Sequence, residues 1–130
     1  MKSTAKWDLT LDCRKLFLRN YEVRINIGVH EFEKLAEQRV LINVDLYIPF
    51  TQSTPRQDEL DEVVDYDFIR RSVAQRVEKG HIHLQETLCD DMLRIMLAHP
   101  KVLAARVSTE KPDVYSDCES VGCEVFGIKD

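Results

Sequence analysis

The sequence has no excess of positive charge: 23 Asp and Glu face 18 Lys and Arg, a net charge of −5. That balance supplies no basic surface for a phosphate backbone and argues against nucleic acid as the main partner. No apolar run approaches the length of a bilayer span, which argues against a membrane protein. Met1 to Thr10 is polar and lacks the apolar stretch of a secretory signal, so a cytoplasmic location is expected. The four cysteines, Cys13, Cys89, Cys118 and Cys123, show no C-x-x-C spacing. They read as small core residues in a reducing compartment, ahead of a zinc site or a disulfide framework. A Gly-rich phosphate loop, a G-x-S-x-G elbow, a Cys/His nucleophile pair, internal repeats and low-complexity segments are also missing.

What remains is a chain of 130 residues, 44% hydrophobic and 32% charged. This predicts one domain over 1–130 with a core of ordinary size. Residues 1–12 read as a loose leader in which Trp7 packs down somewhere, and 13–128 as the folded unit. The clearest element is the strand Arg39 to Ile48. Val40, Ile42, Val44, Leu46 and Ile48 alternate with polar or amphipathic residues, Leu41 excepted, as in a half-buried antiparallel strand. Ahead of it lies a carboxylate-rich bend from Gly28 to Gln38, an accessible loop on a regular scaffold. Cys13 to Ile27 predicts another strand. Its apolar parity switches between Leu18 and Tyr21, which points to a bulge near Arg19-Asn20.

Pro49 ends the second strand, and Thr51 to Leu60 is a polar loop. Asp65 is a fair helix cap, and Ile69, Val73 and Val77 repeat at helical spacing before Gly80. A second helix is expected from near Leu84, with Leu84, Leu88, Met92, Ile95 and Met96 inward, broken at His99-Pro100. Strands follow over Val102 to Glu110 and Asp117 to Ile128, with Lys111-Pro112 closing the first. The order β-β-α-α-β-β predicts an α+β fold: a four-stranded antiparallel sheet with two helices on one face. Its long edge strands need cover, which a symmetric ring of copies would provide.

Chemistry is sought among charged residues at element ends. Lys111 ends a strand, where an amine partly removed from water can act as acid or base; it also reads as a solvated strand-end lysine. Glu86 falls in the first turn of the second helix. It either complements the helix dipole or receives the parallel N–H donors of a flat heterocycle. Tyr66 opens the first helix as a packed aromatic or a proton-relaying phenol. Glu33 is one of three carboxylates in the bend, with nothing local to separate it from Glu31 or Glu37. His81-Ile82-His83 is a possible metal pair, but it lies in a helix–helix connection with no third ligand nearby, so no metal site is expected.

Together, Gly28-Val29-His30-x-Phe32-Glu33…Gln38, Val64-Asp65-Tyr66, Gln85-Glu86-Thr87-Leu88 and Glu110-Lys111-Pro112 resemble dihydroneopterin aldolase from about Leu16 to Phe126. The resemblance implies the tunnelling fold, in which subunits join sheets into a barrel, as a tetrameric ring and usually a homo-octamer. It implies 7,8-dihydroneopterin as the substrate. Retro-aldol cleavage would give 6-hydroxymethyl-7,8-dihydropterin and glycolaldehyde, on the route to folate, with neither metal nor Schiff base. Glu86 and the Gln85 backbone would hold the pterin ring. Lys111 would be the general acid/base, Tyr66 of a neighbouring subunit would help move the proton, and Glu33 would bond the side-chain hydroxyls. Gln85 and Asp113 depart from the family's usual residues. A dihydroneopterin (triphosphate) 2′-epimerase using the same residues is the nearest rival. A zinc-dependent pterin synthase of the same fold and a non-catalytic pterin-binding protein are further alternatives.

Overall fold

A computed structural model describes residues 6–130. Strands β1 (Cys13–Ile25), β2 (Gln38–Pro49), β3 (Ala104–Lys111) and β4 (Val121–Ile128) form one antiparallel sheet in the order β1-β2-β3-β4. A short helix α1 (Leu9–Asp12) precedes β1, and a single turn α2 (Glu31–Lys34) lies between β1 and β2. Helices α3 (Asp67–Val77) and α4 (Gln85–Leu97) connect β2 to β3. Helix α4 packs on β3 and β4, and α3 on β1 and α4. The four-stranded α+β arrangement therefore agrees with the expected order of elements.

The alternation read in β2 places Val40, Ile42, Val44, Leu46 and Ile48 in the core, each at most 1% exposed. Ile69 and Val73 from α3 and Leu88, Met92 and Met96 from α4 close over them. The parity switch in β1 is a bulge: register with β2 shifts between Leu18 and Tyr21. Asn20 sits there at φ 53°. Its amide donates to Asn43 Oδ1 at 2.7 Å, and Asn43 Nδ2 returns a bond to Asn20 Oδ1 at 3.2 Å. Asparagine tolerates this left-handed backbone better than most residues.

Several boundaries differ from expectation. The strand expected to reach Ile27 stops at Ile25, because Ile27 leaves β2 and bridges Ile82 in the helix connection. The strand expected from Val102 starts at Ala104, and the one expected from Asp117 starts at Val121. Leu84 precedes α4 and is exposed rather than buried on its inner face. Asp65 accepts from Asp67 N at 2.9 Å, so it supports the start of α3 from one residue further out than expected.

The loose leader expected over 1–12 falls partly outside the described residues. Its end is ordered: Leu9–Asp12 is a helical turn capped by Asp8. Cys13 and Cys89 are buried as expected of core residues, whereas Cys118 is exposed. Burial pushes the Cys89 thiol up to about 12, so it is a packing group rather than a thiolate. No helix among the described residues is long and apolar enough to cross a membrane.

Candidate active site

Residues Ala105, Val107, Thr109 and Lys111 alternate onto the buried, helix-covered side of β3. The last of them therefore ends under the helices with its side chain out of water; Lys111 is 7% exposed. A buried ammonium needs a partner. Lys111 Nζ donates to Glu33 Oε2 at 2.8 Å.

Glu33 reaches this point through the bend. Gly28 at φ 128° turns the chain out of β1, and a Cβ there would overlap the Glu33 carboxylate. That close approach is the physical reason for glycine. The turn α2 then brings Glu33 back inward at 4% exposed, while Glu31 and Glu37 stay outside. The carboxylate collects four donors. His30 Nδ1 (2.8 Å) and the His30 amide (3.3 Å) meet Oε1, and Gln38 Nε2 (3.1 Å) and Lys111 Nζ meet Oε2. Gln38 Nε2 also donates to Ile27 O at 2.6 Å, tying β2 to the chain leaving β1. Burial alone would raise the Glu33 carboxyl; the bonds from Lys111, Gln38 and His30 outweigh it and hold it at about 2. It is a fixed anion.

Glu33 and Lys111 share a cleft of about 190 Å³ with Gly28, His30, His83, Gln85, Glu86, Tyr115 and Val121. Three expected site residues besides Glu33 thus meet in one place: Lys111, Gln85 and Glu86. The Gln85 side chain is occupied elsewhere. Thr109 Oγ1 donates to its Oε1 at 2.8 Å, and its Nε2 donates to Val121 O at 3.3 Å. That clamps the start of α4 to β3 and β4. The first amides of α4 have no acceptor within the helix, so they can serve a ligand. Glu86 lines the cleft with no hydrogen-bond or ion-pair partner among the described residues.

Tyr66 is not part of this cleft; it stands 67% exposed at the start of α3. His83 does line it, while His81 donates from Nε2 to Gly28 O at 3.0 Å and meets His83 edge-on. Asp113, just beyond Lys111, takes a bidentate pair from Arg39 (3.2 and 3.0 Å). That clasp ties the β3–β4 turn, which carries the cleft residues Val114 and Tyr115, to β2. Sequence reasoning missed His30 and Gln38 as partners of Glu33. The spacing His30-x-x-Glu33, a helix-cap spacing, is the local signal that could have found the first. Nothing local pointed to Gln38, or to Tyr115 as a wall.

Residues 16–126 match the family described as FolB: dihydroneopterin aldolase. A dihydroneopterin aldolase from Burkholderia thailendensis, crystallised bound to guanine, is 59% identical with a TM-score of 0.86, covering 94% of this chain and 96% of its own. A dihydroneopterin triphosphate 2′-epimerase from Pseudomonas aeruginosa is 26% identical, covering 87% of this chain and 91% of its own. A dihydroneopterin aldolase from Escherichia coli is 22% identical, covering 82% and 87%.

Proposed function

The chain belongs to the dihydroneopterin aldolase family, and from that membership we propose that it cleaves 7,8-dihydroneopterin by a retro-aldol reaction. The products are 6-hydroxymethyl-7,8-dihydropterin and glycolaldehyde. The observation that carries the reading is the buried Lys111–Glu33 pair facing a free carboxylate, Glu86, across one small cleft. A relative 59% identical binds guanine. Guanine and pterin present the same amino-pyrimidinone edge. Glu86 receives the two parallel N–H donors of that edge, and the backbone at Gln85 contacts the ring.

With the ring so held, its side chain lies toward Lys111. The C6=N5 imine of the dihydropterin is an electron sink once N5 is protonated, so the C1′–C2′ bond can break without a covalent enzyme intermediate. Lys111 is the acid and base for these proton steps. The resemblance assigns Glu33 to the substrate hydroxyls. Its oxygens already meet four donors, so its part is to anchor Lys111, whose remaining N–H groups reach the hydroxyls. Tyr66 enters the site from a second copy, in a ring that pairs the β1 and β4 edges and stacks into an octamer.

The epimerase reading has support in the Pseudomonas relative. Among the described residues lining the cleft the only Lys or Arg is Lys111, whose charge is paired with Glu33. The described residues of one chain offer a triphosphate no unpaired guanidinium or ammonium there, and this favours the unphosphorylated substrate. The test is product analysis with 7,8-dihydroneopterin and its triphosphate supplied separately. Glycolaldehyde from the first is expected. Inversion of the side chain with no glycolaldehyde contradicts the reading.

A further inference from the structure

The Glu33 carboxylate is the buried one of the two that line the cleft, and it has no acceptor capacity left. Each oxygen offers two lone-pair positions, and each already meets two donors. A hydroxyl proton leaving a bound side chain must go elsewhere. Of the cleft groups with an open acceptor, Glu86 is assigned to the ring, and His30 rather than His83 is the one bonded to Glu33.

Because an ionised carboxylate only accepts, the His30 ring nitrogen 2.8 Å from Glu33 Oε1 is the protonated one. That fixes the neutral ring as its Nδ1–H tautomer and places the lone pair on Nε2. The two nitrogens diverge across the ring, so with Nδ1 turned to the buried carboxylate, Nε2 turns away from it. Nε2 has no partner among the described residues, and the side chain is 58% exposed where it lines the cleft. The ring plane is set by stacking on Phe32, 5.2 Å between centroids and 6° from parallel. A carboxylate orienting one imidazole nitrogen so that the other meets substrate is a recurring way to build a general base.

We propose that His30 is a second catalytic residue, with Nε2 as the base that takes the side-chain hydroxyl proton. This rests on the aldolase or epimerase reading of the same cleft and divides the work assigned there to Lys111. His30 Nε2 takes the 2′-hydroxyl proton; the O–H electron pair becomes the second bond of the aldehyde. The C1′–C2′ pair moves to C1′=C6, and the C6=N5 π pair takes a proton from the Lys111 ammonium. The imidazolium then protonates C1′ while N5 returns its proton to Lys111. Both groups end as they began. Glu33 bonds both throughout, one on each oxygen, and stabilises the imidazolium when it forms.

The test uses a substitution that separates holding Glu33 from accepting a proton. In His30→Asn, the side-chain amide occupies the place of Nδ1 and still donates to Glu33, but nothing replaces Nε2. The full-length protein is assayed on 7,8-dihydroneopterin, with neopterin binding measured beside it. H30N is expected to lose at least about tenfold in kcat, a floor set below the roughly 10²–10⁴-fold that a general base contributes, while neopterin affinity stays within about twofold. A loss in kcat smaller than about tenfold overturns the proposal.

Nitrogen NMR of the His30 ring in the unmodified protein gives a readout that needs no variant and no turnover. An unprotonated Nε2 whose signal moves on adding neopterin is expected; an Nε2 signal that neopterin leaves unmoved overturns the proposal. Glycolaldehyde and epimer are scored together. A parent that only epimerises therefore defeats the aldolase reading alone, because both reactions begin with the same deprotonation.

Discussion

Glu33 and Glu86 are both glutamates beside one cleft, and their surroundings give them opposite properties. Glu33 is sealed behind Gly28 and saturated with donors, so it is held as an anion down to low pH and its charge is structural. Glu86 is exposed and unpartnered, so its acceptors are available to a ligand. The depressed Glu33 carboxyl has a consequence for stability. Its folded value, about 2, lies below the ordinary 4.5. The stabilisation it gives is therefore present above about pH 4.5 and is lost as pH falls toward 2. Glu33→Gln is expected to unfold more easily than the parent at pH 7. The gap should shrink steadily below pH 4.5, as the parent's own carboxyl protonates. Chemical denaturation at a series of pH values measures this; a gap independent of pH would mean that Glu33 is not held as an anion.

The elements deliver these residues by simple rules, some visible in the sequence and some not. Alternation in β2 was readable because one face is apolar and the other is not. The same parity, continued along β3 through Val107 and Thr109, puts Lys111 on the covered face. The bulge in β1 was readable as a switch between Leu18 and Tyr21, since one extra residue flips every later side chain. The choice of Glu33 over Glu31 and Glu37 was not readable. It depends on how Gly28 and a four-residue turn aim the chain, and on Gln38 and Lys111 meeting it from β2 and β3. Asp113 looked like a departure from a familiar pattern. Its explanation, Arg39, lies 74 residues earlier, and such pairs leave no local trace. The bulge supports a prediction of its own. Asn20→Val forces a β-branched residue to φ 53° and deletes the side-chain bond from Asn43 Nδ2. It should cost about 1–3 kcal/mol in thermal or chemical unfolding, whereas Asn20→Gly loses the same side-chain bond but adopts positive φ without strain and should cost less.

At the scale of the whole molecule, two features stay unresolved within one chain. The edges of β1 and β4 are unpaired among the described residues, and exposed edges of this length are usually covered. Tyr66, one of the proposed site residues, is exposed and does not line the cleft that holds the others. The proposed ring answers both: edges pair between copies, and each Tyr66 approaches a neighbour's cleft. Light scattering is expected to give a mass of four or eight chains. A monomer with full activity would remove Tyr66 from the mechanism.

The claim on which the functional account depends is that one cleft divides its labour, with Glu86 gripping the ring and Lys111 moving protons. Parallel measurement of neopterin affinity and glycolaldehyde release for Lys111→Ala and Glu86→Ala tests it most directly. Lys111→Ala should bind neopterin nearly as well as the parent and lose most of its turnover, and Glu86→Ala should lose affinity first. Normal glycolaldehyde release by Lys111→Ala would contradict the account.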